Sequence, residues 1–112
     1  MNVRWSNRAA NEFAATAMYV ASEFGQKAAQ NMRDSIHKAV ENISQFPKMG
    51  VPSFCDEETG IEFRELHCRL NSVVYAIYKD EIYIVNIWHN RQNRDNLYAL
   101  LREDAKDMSF EG

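Results

Sequence analysis

Ile82-Tyr83-Ile84-Val85-Asn86-Ile87-Trp88, followed at once by His89-Asn90-Arg91-Gln92-Asn93-Arg94, is the stretch that decides how this chain folds. All of the first seven residues except Asn86 are apolar or aromatic, so they read as a strand inside a sheet. The strand stops at a histidine and two arginines. It therefore delivers titratable and cationic groups to the rim of a rigid element, where binding and catalysis are usually built. Arg64, set in Ile61-Glu62-Phe63-Arg64-Glu65-Leu66, is expected to approach that rim from another strand.

Two further strands precede it. Ile61 to Leu70 and Val73 to Tyr78 are rich in branched and aromatic residues, and Asn71-Ser72 and Lys79-Asp80-Glu81 are connections short enough to force antiparallel hairpins. In the first of them Ile61 and Phe63 share one face while Leu66, Cys68 and Leu70 share the other, so the alternation slips near Arg64-Glu65. A β-bulge explains the slip, and so does a twisted strand covered on both faces.

The N-terminal half has helical periodicity. Val3-Arg4-Trp5 is a short extended start, and Ser6 or Asn7 supplies an N-cap oxygen. Ala10, Phe13, Ala14, Ala17, Ala21 and Phe24 then form one apolar face, ended by Gly25. A second pattern runs through Ala29, Met32, Ile36, Ala39, Val40, Ile43 and Phe46 to Pro47. Two helices meeting at one glycine make an antiparallel hairpin. Residues Pro47 to Gly60 read as a loop, punctuated by Gly50 and Pro52. A last short helix is expected over Asp95 to Ala105 through Leu97, Leu100 and Leu101, with residues 106–112 a frayed tail. The fold class is α+β: a small antiparallel sheet, an N-terminal helical hairpin packed on one face and a short C-terminal helix, in the order β-α-α-β-β-β-α.

Composition sets limits. A chain of 112 residues, 46% of them hydrophobic, has material for one domain, here 1–112, and not for two. Its longest apolar run is far short of a membrane span. Met1-Asn2-Val3-Arg4 meets charge at once, so no secretory leader is expected and the cytoplasm is the expected location. Cys55 and Cys68 lack metal or redox spacing, and glycine-rich phosphate loops are absent, so neither a metal nor a cofactor is expected. The net charge of −3 disfavours a non-specific nucleic-acid binder, although Arg64, Arg69, Arg91, Arg94 and Arg102 all fall in the second half.

Each candidate residue has a functional and a structural reading. His89 is a general acid or base, or the cap of a strand end. Arg64 clamps a phosphate, or pairs with Glu62 or Glu65. Arg69, Arg91 and Arg94 contact a target, or are solvated. Asn86 needs a buried hydrogen-bond partner. His37 reads as exposed, and His67 forms no triad or metal set with the cysteines. Trp5 and Trp88 read as packing residues rather than base-stacking platforms.

Taken together the chain resembles the RelE/ParE superfamily of bacterial type II toxins. The resemblance rests on Val3-Arg4-Trp5-Ser6 with Ala9 and Ala10, Tyr19-Val20 through Phe24-Gly25, and Phe46-Pro47 with Gly50. It continues through Gly60-Ile61-Glu62-Phe63-Arg64-Glu65-Leu66, Val73-Val74-Tyr75-Ala76-Ile77 and Ile87-Trp88-His89-Asn90-Arg91-Gln92. It implies a growth-inhibiting toxin of a plasmid-stabilising system, neutralised by a cognate antitoxin. ParE-like members inhibit DNA gyrase. RelE-like members are metal-independent endoribonucleases that cleave messenger RNA on the ribosome. In a RelE-like member Arg64 would stabilise the phosphorane and His89 would be the acid, with Glu62 or Glu65 as base.

The chain departs from the RelE pattern at two places. The loop after the second helix offers Lys48 and then an acidic run instead of a basic cluster, and Asn90 stands where some nucleases carry tyrosine. The ParE-like reading is therefore preferred. A toxin-derived binding module without toxicity is the third reading.

Overall fold

The structure, a computed structural model, describes residues 1–111, with side chains described through residue 109. The elements are β1 (Asn2–Trp5), α1 (Asn7–Phe24), α2 (Gln26–Gln45), β2 (Val51–Cys55), β3 (Glu62–Cys68), β4 (Asn71–Tyr78), β5 (Glu81–His89) and α3 (Arg94–Glu111). The strands form one sheet in the order β1-β5-β4-β3-β2. Pairing is antiparallel throughout β2 to β5, while β1 lies parallel to β5.

The expected α+β architecture stands, with four differences. The first is β2, which lies inside the segment read as a loop. Pro52 made that segment look irregular, but β2 is an edge strand, where proline is tolerated because its missing N–H would face away from the ladder. The second is the length of α3. It runs 18 residues and not to Ala105 only, and the tail expected to fray from 106 is helical through Glu111. Leu97, Leu101, Ala105 and Met108 recur at spacings of three and four and are all buried, which extends the helix by packing. Gly112 lies outside the described residues.

The third difference is the sheet's environment. The α1–α2 hairpin covers one face through Ala9, Ile36, Ala39 and Ile43, set against Val73, Tyr75, Ile82, Ile84 and Ile87. Helix α3 covers the other face, against Ile61, Phe63, Val74, Ala76, Val85 and Trp88. A sheet covered on both faces has strands that are apolar without alternation, which is what β4 and β5 show. It also resolves the slip in β3. Phe63 and Glu65 point to the α3 side, whereas Leu66 and Cys68 point to the hairpin side, and the β3–β4 register is regular. The register shifts lie in the neighbouring pairs instead, between Pro52 and Phe54 of β2 and at Val74/Tyr75 opposite β5, where Val85 is the extra residue.

The fourth concerns turns and helix faces. The β3–β4 turn is Arg69-Leu70, and Asn71 and Ser72 belong to β4, paired with Cys68 and His67. In α1 the row that meets the sheet contains Ala9, Phe13 and Ala17, while Ala10, Ala14 and Phe24 are exposed. Alanines on both sides of the helix left its orientation open in the sequence. Ser6 caps α1 by accepting from the Ala9 N–H at 3.0 Å, and Gly25, at φ 93°, joins α1 to α2 in a region that disfavours a β-carbon.

Candidate functional site

Arg64 and His89 occupy different places. Arg64 of β3 is opposite Tyr75 of β4, and His89 of β5 is opposite Asn71. Four residues of β4 separate the two levels, roughly 13 Å along the strand, and the strands flank β4 on opposite sides, roughly 10 Å apart. The approach of Arg64 to the β5 rim, expected from the sequence, does not occur. The Arg64 guanidinium is turned toward the loop after α2 instead. Its Nη1 donates to the carbonyls of Gly50 at 2.7 Å and Lys48 at 3.2 Å, and its Nη2 lies 3.3 Å from Glu62 Oε1. These contacts tie β3 to the segment that leads into β2.

The same segment is held by Tyr75, whose hydroxyl donates to Pro47 O at 2.7 Å and accepts from Gly50 N at 2.9 Å. Burial pushes the Tyr75 phenol further up from its ordinary range, so it stays protonated and keeps its donor.

His89 is partly exposed at the end of β5. Its Nδ1 accepts from the Arg91 N–H at 3.2 Å, which leaves Nε2 facing outward. The ring borders a shallow groove of about 300 Å³ shared with Glu12, Tyr19, Trp88 and Gln92. Asn90, which stands where some RelE-like nucleases carry tyrosine, holds the strand end. Its N–H donates to Leu70 O at 2.8 Å, its Nδ2 donates to Arg69 O at 3.2 Å, and its Oδ1 accepts from Ser72 Oγ at 2.6 Å.

The remaining candidates divide. Arg69 and Arg91 are exposed at the end of the sheet with His89. Arg94, at the first turn of α3, is engaged with Glu65, whose side chain is 1% exposed, and its Nε donates to the Tyr98 hydroxyl at 3.2 Å. Ser53 Oγ donates to the same Glu65 oxygen. Glu65 therefore faces α3, on the opposite side of the sheet from Arg64, and Glu62 is the carboxylate beside Arg64. Asn86 is buried, and the side chain closest to a partnership with its amide is the Glu12 carboxylate. Trp5 stacks on Phe13, and Trp88 is in the core under α3. His37 is exposed, its ring edge-on to Phe13. Among the described residues no group of His, Cys, Asp and Glu is placed to hold a metal ion, and no helix is long and apolar enough to cross a membrane.

A polar cluster that the sequence did not signal lies beside the groove. Strand β1 pairs only with the first four residues of β5, and beyond it the Glu12 carboxylate accepts from the Ile87 N–H at 3.1 Å. Arg8 of α1 pairs with Asp104 of α3. Burial pushes the Asp104 carboxyl up to about 6 from 3.8, against the pull of Arg8, and burial also raises Glu12. A raised carboxyl pKa means that the folded state binds the proton more tightly than the unfolded state between these two values. The charged form thus costs stability at pH 7, and the cost fades as pH falls through about 6 toward 4. Stability measured at pH 5 and pH 7 is expected to show a component favouring pH 5, on the order of 1 kcal/mol after allowing for partial hydration. Asp104→Asn should remove that component; an unchanged pH slope in the variant would rule out Asp104 as its source.

Comparison with known proteins agrees with the fold. No curated protein matches the chain at a significant level. A solved structure described as the chromosomal ParDE TA system from P. aeruginosa shares the fold, with a TM-score of 0.66 and 20% identity over 80% of this chain and 95% of that one. The family model for the ParE toxin of the type II toxin-antitoxin system parDE matches residues 3–94, from β1 through the end of the sheet to the start of α3. With most of its length accounted for in this way, the chain belongs to the ParE toxin family of type II toxin-antitoxin systems.

Proposed function

We propose that residues 1–112 act as one ParE-like toxin that arrests growth by inhibiting DNA gyrase, is neutralised by a cognate antitoxin in the cytoplasm, and so stabilises the plasmid or locus that encodes the pair. The family match carries this reading. The geometry adds to it. A metal-independent ribonuclease of the RelE kind needs the strand arginine and the strand-end histidine on one phosphate. Here Arg64 is spent on the Gly50 and Lys48 carbonyls, far along the sheet from His89.

The test is a gyrase supercoiling assay run beside a translating extract. Purified protein is expected to inhibit supercoiling and accumulate gyrase–DNA complexes at roughly stoichiometric ratios, leaving messenger RNA intact. Message cleavage lost in both Arg64→Ala and His89→Ala, with supercoiling unaffected, would replace the gyrase reading with the nuclease one. Normal growth on induction of soluble protein would mark a non-toxic binding module.

A further inference from the structure

The end of the sheet that carries His89 is shaped with unusual care. Only two residues, Arg69 and Leu70, separate Cys68 of β3 from Asn71 of β4. Arg69 has φ 62° and Leu70 is not in the positive-φ region. That is the pattern of a type II′ turn, whose first position favours glycine because a β-carbon is strained there. An arginine persists in such a place only where the surroundings impose it, and strain of this kind gathers at functional positions.

The surroundings do impose it. Asn90 grips the backbone of both turn residues, at Leu70 O and Arg69 O. Its amide is oriented by Ser72 Oγ, which is fully buried and donates to Asn90 Oδ1. With that hydrogen committed, Ser72 Oγ can only accept from His67 Nδ1, 2.7 Å away. A chain of three side chains thus braces a two-residue tip, and Asn90 is its positioning residue.

What the brace presents is chemically specific. Leu70 is 59% exposed, Arg69 is exposed beside it in the turn, and Arg91 is exposed next to Asn90, which holds that turn. Among the described residues neither guanidinium has an ion-pair partner. Neither 66–72 nor 86–94 contains a carboxylate, although the whole chain has a net charge of −3. Two cations are too few to bind a nucleic-acid backbone by counterion release, which grows with the number of phosphates neutralised. Two guanidiniums beside an apolar side chain suit a protein surface better, each fork pairing with a carboxylate while the leucine leaves water.

We propose that the Arg69-Leu70 tip, with Arg91 beside it, is the surface this toxin presses onto its target, and that it fits an acidic patch of protein with an apolar socket. The proposal rests on the gyrase reading and names the part of the toxin that would engage the enzyme. Binding of the purified full chain to gyrase holoenzyme, and separately to duplex DNA, tests it. Arg69→Glu is expected to weaken gyrase binding at least twentyfold and Leu70→Ser about fivefold, with thermal unfolding unchanged. Arg69→Gly gives the sharpest signature: relief of the strained φ should raise Tm by about 2–4 °C while binding falls about tenfold. A merely structural role for Arg69 would not raise stability and lower binding together.

Wild-type protein that binds gyrase, with the Arg69→Glu and Leu70→Ser variants binding equally well, would overturn this proposal and leave the gyrase reading intact. Wild-type protein with no affinity for gyrase would overturn both. Binding to duplex DNA alone, with a salt dependence that Arg69→Glu reduces, would make nucleic acid the occupant and exclude the acidic protein surface.

Discussion

Gly50→Ala is expected to destabilise the protein by about 2–4 kcal/mol, although the change adds a single methyl group. A β-carbon at Gly50 would lie 2.6 Å from the Tyr75 hydroxyl oxygen, 2.8 Å from its Cε1 and 3.0 Å from the Glu65 carbonyl. None of these can yield cheaply. Tyr75 has no exposed surface, and its hydroxyl is pinned by Pro47 O on one side and Gly50 N on the other. Moving the ring breaks both bonds, and moving the backbone pulls at Arg64, which holds Gly50 O. The loss corresponds to a drop in Tm on the order of 10 °C for a domain of this size. Urea unfolding of Gly50→Ala, Tyr75→Phe and the double variant would check the mechanism. With the hydroxyl gone the clash is eased, so the double variant should be less destabilised than the two single changes summed. Simple additivity would count against a steric cause.

Arg94→Ala is expected to have the second large effect, about 3 kcal/mol, and to exceed Glu65→Ala. The asymmetry follows from burial. Glu65 is 1% exposed, whereas Arg94 is 39% exposed. Without Arg94, the carboxylate stays in the interior with only Ser53 as a donor, and its other oxygen, Oε1, already has no hydrogen-bond partner. Without Glu65, the guanidinium can turn to water and keep its stacking on Tyr98. Chemical denaturation of both variants at pH 7 would measure this, and a larger loss for Glu65→Ala than for Arg94→Ala would refute the argument. The contact matters because Arg94 opens α3, the layer that covers half of the sheet.

The helical hairpin and the three long strands were legible because their signals are local. Gly25, Pro47 and the spacing from Ala29 to Ile43 are properties of a few adjacent residues, and the structure uses them as the pattern suggests. Strand β2 was not legible, because Pro52 is compatible with a strand only at an edge, and edges are decided by the rest of the sheet. The site was harder still. The Glu62 partner of Arg64 was legible, since the two share a strand face. The Gly50 carbonyl that Arg64 also holds and the Glu65 that Arg94 holds lie 14 and 29 residues away, and no spacing rule connects them. Asn90 is the extreme case. It reads as an ordinary polar residue after a strand, and its importance exists only once the turn at Arg69-Leu70 is folded against it.

Both borders of the sheet carry an obstacle to foreign strands. On one border Pro52 offers no N–H and a register shift interrupts β2; on the other, where β1 ends and apolar β5 runs on, the Glu12 carboxylate already occupies the Ile87 N–H. Unpaired borders are where β-rich proteins polymerise. A strand arriving from another chain would have to displace Glu12 on one side or work around Pro52 on the other, which disfavours edge-to-edge growth at these points.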